Sequence, residues 1–161
     1  MVARCPGCLG EFDDFDGPVH RYIGASAACW HLYGRVLAGE LPGRNPLGVD
    51  AYAAQHPGIE SPQSKQSVAI HLITLEAVLR RDIPVEEAVS VRNQAVDAGR
   101  RQRNGYRWLD PAPTGWPFTL ADVVAGIEPD TWAVGVLESW KALHPLLIAR
   151  WTDEVLSDHG T

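Results

Sequence analysis

Two cysteines near the amino terminus are the sharpest chemical signal in the sequence. Cys5 and Cys8 are separated by Pro6 and Gly7, and these two residues favour a tight turn that brings both thiols to one point. Such a turn supplies two of the four ligands that a tetrahedral zinc ion requires. A thioredoxin-like redox pair is the competing interpretation, but that pair belongs to a strand–helix pattern that this sequence lacks. The motif therefore favours metal binding over redox chemistry.

The third cysteine, Cys29, is the remaining thiol in the chain. It follows Ser26, a residue type typical of a helix N-cap, so we expect it in the first turn of a helix, where the dipole favours a thiolate. A lone cysteine on an amphipathic helix is more often a core residue. The scarcity of cysteine here and the nearby Cys5-x2-Cys8 motif favour a ligand instead. An odd number of cysteines also excludes a closed disulfide framework.

The fourth ligand would come from one of six histidines. His31 follows Cys29 by two residues, so their side chains cannot face each other on one helix. His20 lies in an acidic loop and could fold back. His56 ends a short predicted helix, whereas His71 lies in the middle of a long one, on a partly apolar face. The residues by themselves leave His20, His56 and His71 open.

The combined spacing of these residues resembles a bacterial family of small proteins known as a domain of unknown function. The resemblance covers roughly the first half of the chain. It implies that Cys5, Cys8, Cys29 and His56 belong to one site, and it implies no reaction. The residues that carry it are Cys5-x2-Cys8, Cys29-Trp30, Asp50-x-Tyr52-x2-Gln55-His56-Pro57-Gly58 and His71-Leu72.

Position in the chain also favours His56 as the ligand. The backbone breaks after it at Pro57-Gly58, so the ring could turn toward a metal that cysteines already hold. His71 is instead fixed in direction by its helix. Tyr52 and Gln55 lie within one turn of His56. Tyr52 and Gln55 either orient the His56 ring through the nitrogen that the metal leaves free or pack as ordinary helix residues. His71 and His20 remain alternative ligands.

A basic stretch follows in the second half of the chain. Residues 92–107 contain five arginines against one acid, whereas the complete chain carries a net charge of −6. One interpretation is a surface for an acidic partner, a phosphate or RNA, with Tyr106 and Trp108 for stacking. The other is a set of cations at a helix C-terminus, where the dipole favours them. The arginines most available for such a patch are Arg100, Arg101, Arg103 and Arg107.

Other catalytic and binding motifs are missing from the sequence. The acidic run Asp13, Asp14 and Asp16 lacks the glutamate that ends an EF-hand loop, because Ala25 stands at that position. There is no nucleophile elbow and no glycine-rich phosphate loop. The acidic balance of the whole chain disfavours a dedicated nucleic-acid binder.

Helices must position these side chains, since apolar residues recur at helical spacing and no segment alternates like a strand. The expected helix starts are Ser26, Asp50, Ser61-Pro62, Thr119 with Asp122, and Asp130. A further helix is expected to begin at Ile83-Pro84 and to run to about Arg103. Pro145 is expected to kink the last helix. The predicted core combines two helix faces, made by Val68, Leu72, Leu75 and Leu79 and by Trp132, Val136, Trp140, Leu143, Leu147 and Trp151.

These observations predict an all-α single domain over residues 1–161. Residues 1–24 would form an irregular, zinc-knuckle-like metal-binding loop, and residues 25–161 a helical body. The favoured function is a small Zn²⁺-binding protein with a structural metal, acting as an interaction or regulatory module rather than an enzyme. One alternative is a zinc enzyme with three protein ligands and a water; another is a regulator that uses residues 92–107. We expect a cytoplasmic protein with a protein partner, no membrane segment and no nucleic acid.

Overall fold

Helices dominate the computed structural model, which describes residues 1–158 and is 56% helical with a two-stranded sheet. This confirms the predicted helical class, and the last three residues of the predicted domain lie outside the described part. The seven α-helices of that part are α1 (Ala27–Leu37), α2 (Gly48–Gln55), α3 (Pro62–Arg80), α4 (Ala88–Arg101), α5 (Leu120–Val124), α6 (Pro129–Leu143) and α7 (Pro145–Ser157).

The amino-terminal segment is more ordered than the predicted irregular loop. Two short strands, β1 (Val2–Arg4) and β2 (Glu11–Asp13), pair antiparallel with Ala3 opposite Phe12. Strands of three residues are too short to show the alternation on which a sequence-based prediction depends. The Cys5-x2-Cys8 motif therefore lies in the loop of a β-hairpin rather than in a structureless segment.

Side-chain caps set the starts of three helices as predicted. The Ser26 side chain accepts a hydrogen bond from the Cys29 amide at the start of α1. At α3, Ser61 accepts from the Ser64 amide, and Pro62 follows as the first helical residue. Thr119 and Asp122 form the capping box of α5. These caps use only neighbouring residues, so local sequence is sufficient to specify them.

Two predicted helix caps and one predicted kink were wrong, and one further helix differs in its first turn. Asp50 does not cap α2, which begins after Leu47, and Asp130 lies inside α6, whose N-cap is Glu128. Pro145 starts a separate helix instead of kinking a continuous one, because the residue before a proline is driven out of helical geometry. The helix expected from Ile83-Pro84 to about Arg103 is divided into a 3-10 turn over Val85–Glu87 and α4, which ends at Arg101.

Helix α3 forms the centre of the core and packs against α2, α4, α6 and α7. Val68, Leu72 and Leu75 of the predicted α3 stripe are buried, whereas Leu79 is partly exposed. Two buried tryptophans of α6 hold the end of α2, since the Trp140 indole donates to the Ala54 carbonyl and the Trp132 indole to the Gln55 side chain. This packing fixes the end of α2, which is the element that carries His56.

No helix within residues 1–158 is both long and apolar enough to cross a lipid bilayer.

Candidate metal centre

Four predicted ligands meet at one buried point. Cys5, Cys8, Cys29 and His56 each offer one donor atom, and these atoms all lie within 4.8 Å of one another. The four residues are 0%, 3%, 1% and 0% exposed. Zinc bonds of about 2.0–2.3 Å place tetrahedral donors roughly 3.3–3.8 Å apart, so small side-chain adjustments would let this cluster hold one ion.

The hairpin loop brings the first two thiols together. The Cys5 amide donates to the Gly10 carbonyl at 2.8 Å, and the Leu9 amide donates to the Cys5 carbonyl at 3.0 Å. Gly7 is needed between them because a Cβ there would lie 2.6 Å from the Gly24 carbonyl oxygen and 2.6 Å from the His56 ring. The Trp116 indole donates to the Gly7 carbonyl at 2.8 Å. The loop is therefore pressed against the helical body at the cysteine motif.

The first turn of α1 supplies the third thiol. The Cys29 amide donates a hydrogen bond to the Ser26 hydroxyl. The Cys29 side chain is buried in the interior. Its Sγ lies 3.2 Å from the Tyr52 hydroxyl and 3.3 Å from His56 Nε2. The Ser26 cap thus fixes the start of the helix that carries this thiol.

The end of α2 supplies the imidazole. His56 Nδ1 lies 2.7 Å from the Tyr52 carbonyl oxygen, and because a carbonyl can only accept, Nδ1 must carry the proton. In a neutral imidazole the other nitrogen, Nε2, is the one with the free lone pair, and here it lies 3.3 Å from Cys29 Sγ. The Gly24 amide donates to the His56 carbonyl at 2.9 Å, which ties this turn to the chain before α1. A hydrogen bond of this kind is how proteins fix the tautomer and orientation of a metal-binding histidine.

Their proximity gives the three thiols opposite shifts in pKa. Hydrogen bonds from Cys29 and then Cys8 lower the pKa of the Cys5 thiol. Hydrogen bonding to Cys5 and Cys8, together with burial, raises the pKa of Cys29. One thiolate is therefore favoured, and further ionisation is opposed by the thiolate already present. A divalent cation would remove this conflict, because coordinated thiols are deprotonated.

Tyr52 stays a neutral phenol beside the cluster. Burial, followed by the proximity of Cys29, raises its pKa well above the ordinary value for tyrosine. Its ring stacks on His56 and on Tyr33, with centroid distances of 4.0 Å in both cases. A neutral hydroxyl can donate to the Cys29 sulfur, so Tyr52 contacts the cluster through its hydroxyl, its ring and its carbonyl.

Comparison with family models matches residues 3–158 to a family described as "Family of unknown function (DUF5946)". The chain belongs to this family. The match spans both the metal centre and the helical body, and it confirms the resemblance to a domain of unknown function. Searches among curated proteins and among solved structures give no match to this chain.

The structure places the other candidate residues of this family member away from the cluster. The Gln55 side chain donates to the Phe118 carbonyl at 2.7 Å and accepts from the Trp132 indole, so it joins α2 to the following segments instead of orienting His56. His20 is exposed, and its Nδ1 accepts from the Tyr22 amide. Neither residue belongs to the group whose donor atoms converge.

His71 belongs to a second buried polar centre that the sequence did not reveal. Its Nδ1 lies 2.7 Å from Asp50 Oδ1, and Arg92 approaches both oxygens of the same carboxylate, at 2.9 and 2.6 Å. Asp50 is fully buried, and it raises the pKa of Arg92 mainly through these hydrogen bonds. No short-range signal could have found this centre, because its residues come from α2, α3 and α4.

The arginines of the predicted basic stretch differ in their partners. Arg92 is bound to Asp50, and Arg101 lies 3.5 Å from Asp158. Arg100 lies 3.9 Å from Asp97, an exposed pair of the kind that contributes little. Arg103 and Arg107 are exposed on the loop that follows α4. Arg92 therefore belongs to a buried ion pair, whereas Arg100, Arg101, Arg103 and Arg107, the arginines predicted for the patch, are all exposed.

Proposed function

We propose that this chain is a small zinc-binding protein whose metal is structural, and that the metal fastens residues 1–24 to a helical body that acts as an interaction module. The observation that carries this proposal is the convergence of four buried donor atoms from three separate elements. They come from the hairpin loop, the first turn of α1 and the end of α2.

The donor set supports zinc over other metals. Soft thiolate ligands with an imidazole suit zinc, whereas calcium and magnesium prefer oxygen ligands. Three cysteines with one histidine is among the common donor sets of structural zinc sites. The hydrogen bond from His56 Nδ1 to the Tyr52 carbonyl leaves Nε2 available to a metal, an arrangement that is common among metal-binding histidines.

Burial supports a structural role over a catalytic one. A catalytic zinc keeps one position open for water or substrate, but here four protein donors are available and none is more than 3% exposed. A zinc enzyme would require one of these residues to leave the ion. Residues 1–158 contain no second cluster of this kind.

Metal content tests the proposal directly. Protein purified without chelator should contain about one zinc per chain by elemental analysis. X-ray absorption at the zinc edge should indicate three sulfur neighbours and one nitrogen. Metal-free protein with a disulfide between Cys5 and Cys8 would overturn the proposal in favour of redox chemistry, and three protein ligands with a water would favour the enzyme.

Hydrogen exchange tests the proposed division between loop and body. Cys8→Ser should speed amide exchange mainly in residues 1–24, because this segment has few buried apolar side chains apart from its cysteines. Exchange in α3 and α6 should change little, since both helices also pack against each other and against α7, away from the cluster. Ser139→Ala, on α6 and outside the cluster, is a control for nonspecific loosening. Global unfolding of Cys8→Ser would show that the body also depends on the metal.

A further inference from the structure

Two adjoining depressions lie where the loop after α4 meets the start of α7. One has a volume of about 300 Å³ and the other of about 550 Å³. Because the two share four lining residues, they form one groove, which we call the α7 groove. The shared residues are Arg107, Trp108, Asp110 and Leu147; the first depression adds Leu143 and Leu146, and the second adds Lys65 and Arg150.

We propose that the α7 groove binds an acidic peptide segment with apolar anchor side chains, supplied by a partner protein. The proposal rests on the interaction role proposed above and names the chemistry of the partner. It does not depend on the metal, because none of the lining residues belongs to the cysteine–histidine cluster.

One half of the groove presents apolar side chains to solvent. Leu146 is 84% exposed and Leu143 is 44% exposed, although both adjoin a concave surface. Exposed apolar residues that border a depression mark protein interaction sites more often than isolated surface leucines do. Trp108 is half-buried between the two depressions, and tryptophan is among the residues that contribute most to binding energy at interfaces.

The other half is cationic on a chain whose net charge is −6. Lys65 is paired with Glu60 at 3.5 Å. Within the described residues, neither Arg107 nor Arg150 forms an ion pair with an acidic side chain. Two exposed guanidinium groups therefore face the groove against the single remaining carboxylate of Asp110. Guanidinium groups bind carboxylates with two parallel hydrogen bonds, so acidic side chains suit these positions.

The apolar and cationic halves of the α7 groove together favour a peptide over a nucleic acid. Nucleic-acid affinity grows with the number of phosphates that cations neutralise, and this groove offers few unpaired cations beside exposed leucines and an acid. A peptide that places leucine or tryptophan on the apolar half and aspartate or glutamate near the arginines satisfies both surfaces. Helical and extended peptides bind grooves through such spaced apolar anchors, and the opposite charge assists encounter and orientation.

A peptide array tests the proposal with the full-length, metal-loaded protein. The probe is a library in which leucine and tryptophan are interspersed with aspartate and glutamate. One matched library replaces the acids by their amides, and another replaces the apolar residues by serine. We expect binding to the first library only, and weaker binding as salt increases, because exposed charges are screened. Equal binding to the amide library, or no binding to any library, would overturn the proposal.

Matched variants locate the binding surface. Arg107→Glu with Arg150→Glu, and separately Leu146→Asn, should weaken binding of a selected peptide by at least about tenfold, the scale of losing one charged or anchoring contact. Arg44→Glu and Val89→Asn make similar changes at exposed positions outside the groove and should have no effect. Undiminished binding to the groove variants would refute the assignment.

Two further measurements separate this proposal from its rivals. Groove-dependent binding of a single-stranded oligonucleotide that exceeds peptide binding would replace the peptide with a nucleic acid. Dimers that dissociate in the Leu146→Asn variant would replace it with a second copy of the chain. Metal analysis of the same samples distinguishes the structural zinc from peptide binding. Metal-free protein that still binds peptide refutes only the structural zinc. Metal-loaded protein that binds no peptide refutes only peptide binding in the α7 groove.

Discussion

Two histidines, the buried His56 and the partly buried His71, lie in polar centres that differ in their neighbouring groups. His56 meets three thiols, whereas His71 meets the carboxylate of Asp50 and, through it, Arg92. In both residues Nδ1 is engaged by an oxygen at 2.7 Å. The difference lies in the charge of that oxygen and of the groups around it.

The comparison shows how the same side chain acquires different roles. At His56 the oxygen is a neutral backbone carbonyl that brings no charge to the ring, and Nε2 faces Cys29. At His71 the oxygen belongs to a buried carboxylate that also binds a guanidinium group, so the centre already holds opposite charges. We interpret the first centre as one that needs a cation from solution and the second as one that contains its own.

Removal of the Asp50 carboxylate from the second centre is expected to have the largest effect on stability. Asp50→Ala should lower the free energy of unfolding by about 3–5 kcal/mol, because removing one member of a buried ion pair leaves the other uncompensated. Zinc stoichiometry should stay unchanged. Chemical denaturation and elemental analysis measure the two quantities. Glu40→Ala, which breaks the exposed Arg35–Glu40 pair, is the matched control and should cost about 1 kcal/mol or less.

A zinc competition titration compares the two histidines directly. His56→Ala should reduce zinc affinity by more than about 100-fold, since loss of an outer-shell hydrogen bond alone costs about 10–100-fold. His71→Ala should retain the metal and lose roughly 1–3 kcal/mol of stability, because a buried hydrogen bond is left unmade. If the two variants exchanged these outcomes, the metal would be bound on α3 and the comparison would be reversed.

The smallest expected effect is that of one hydroxyl. Tyr52→Phe keeps the stacked ring but removes the contact with Cys29, so zinc affinity should fall by about tenfold. The same change at Tyr106 is the control, because its buried hydroxyl donates to the Ala95 carbonyl far from the cluster. Tyr106→Phe should lower stability and leave zinc affinity intact; equal affinities in both variants would show that the Tyr52 hydroxyl does not affect the metal.

Much of the first centre follows from local sequence. A Pro-Gly turn between two cysteines brings thiols together, a serine N-cap starts the helix that carries Cys29, and the break after His56 lets its ring turn. Each of these depends on residues within a few positions of one another. The resemblance to the family was needed to join them into one set, because spacing along the chain does not reveal which distant residues meet.

The sequence by itself therefore determined the helical class, the caps of α1, α3 and α5, and the three candidate thiols, and its resemblance to the family added His56. Only the tertiary structure separated Gln55 from the cluster, paired Arg92 with Asp50 and formed the α7 groove. The physical reason is range: caps and turns are made by neighbouring backbone groups, whereas Asp50, His71 and Arg92 meet only because α2 and α4 pack against α3. Such packing depends on the shape and burial of whole helix faces, which the order of residues along one segment does not record.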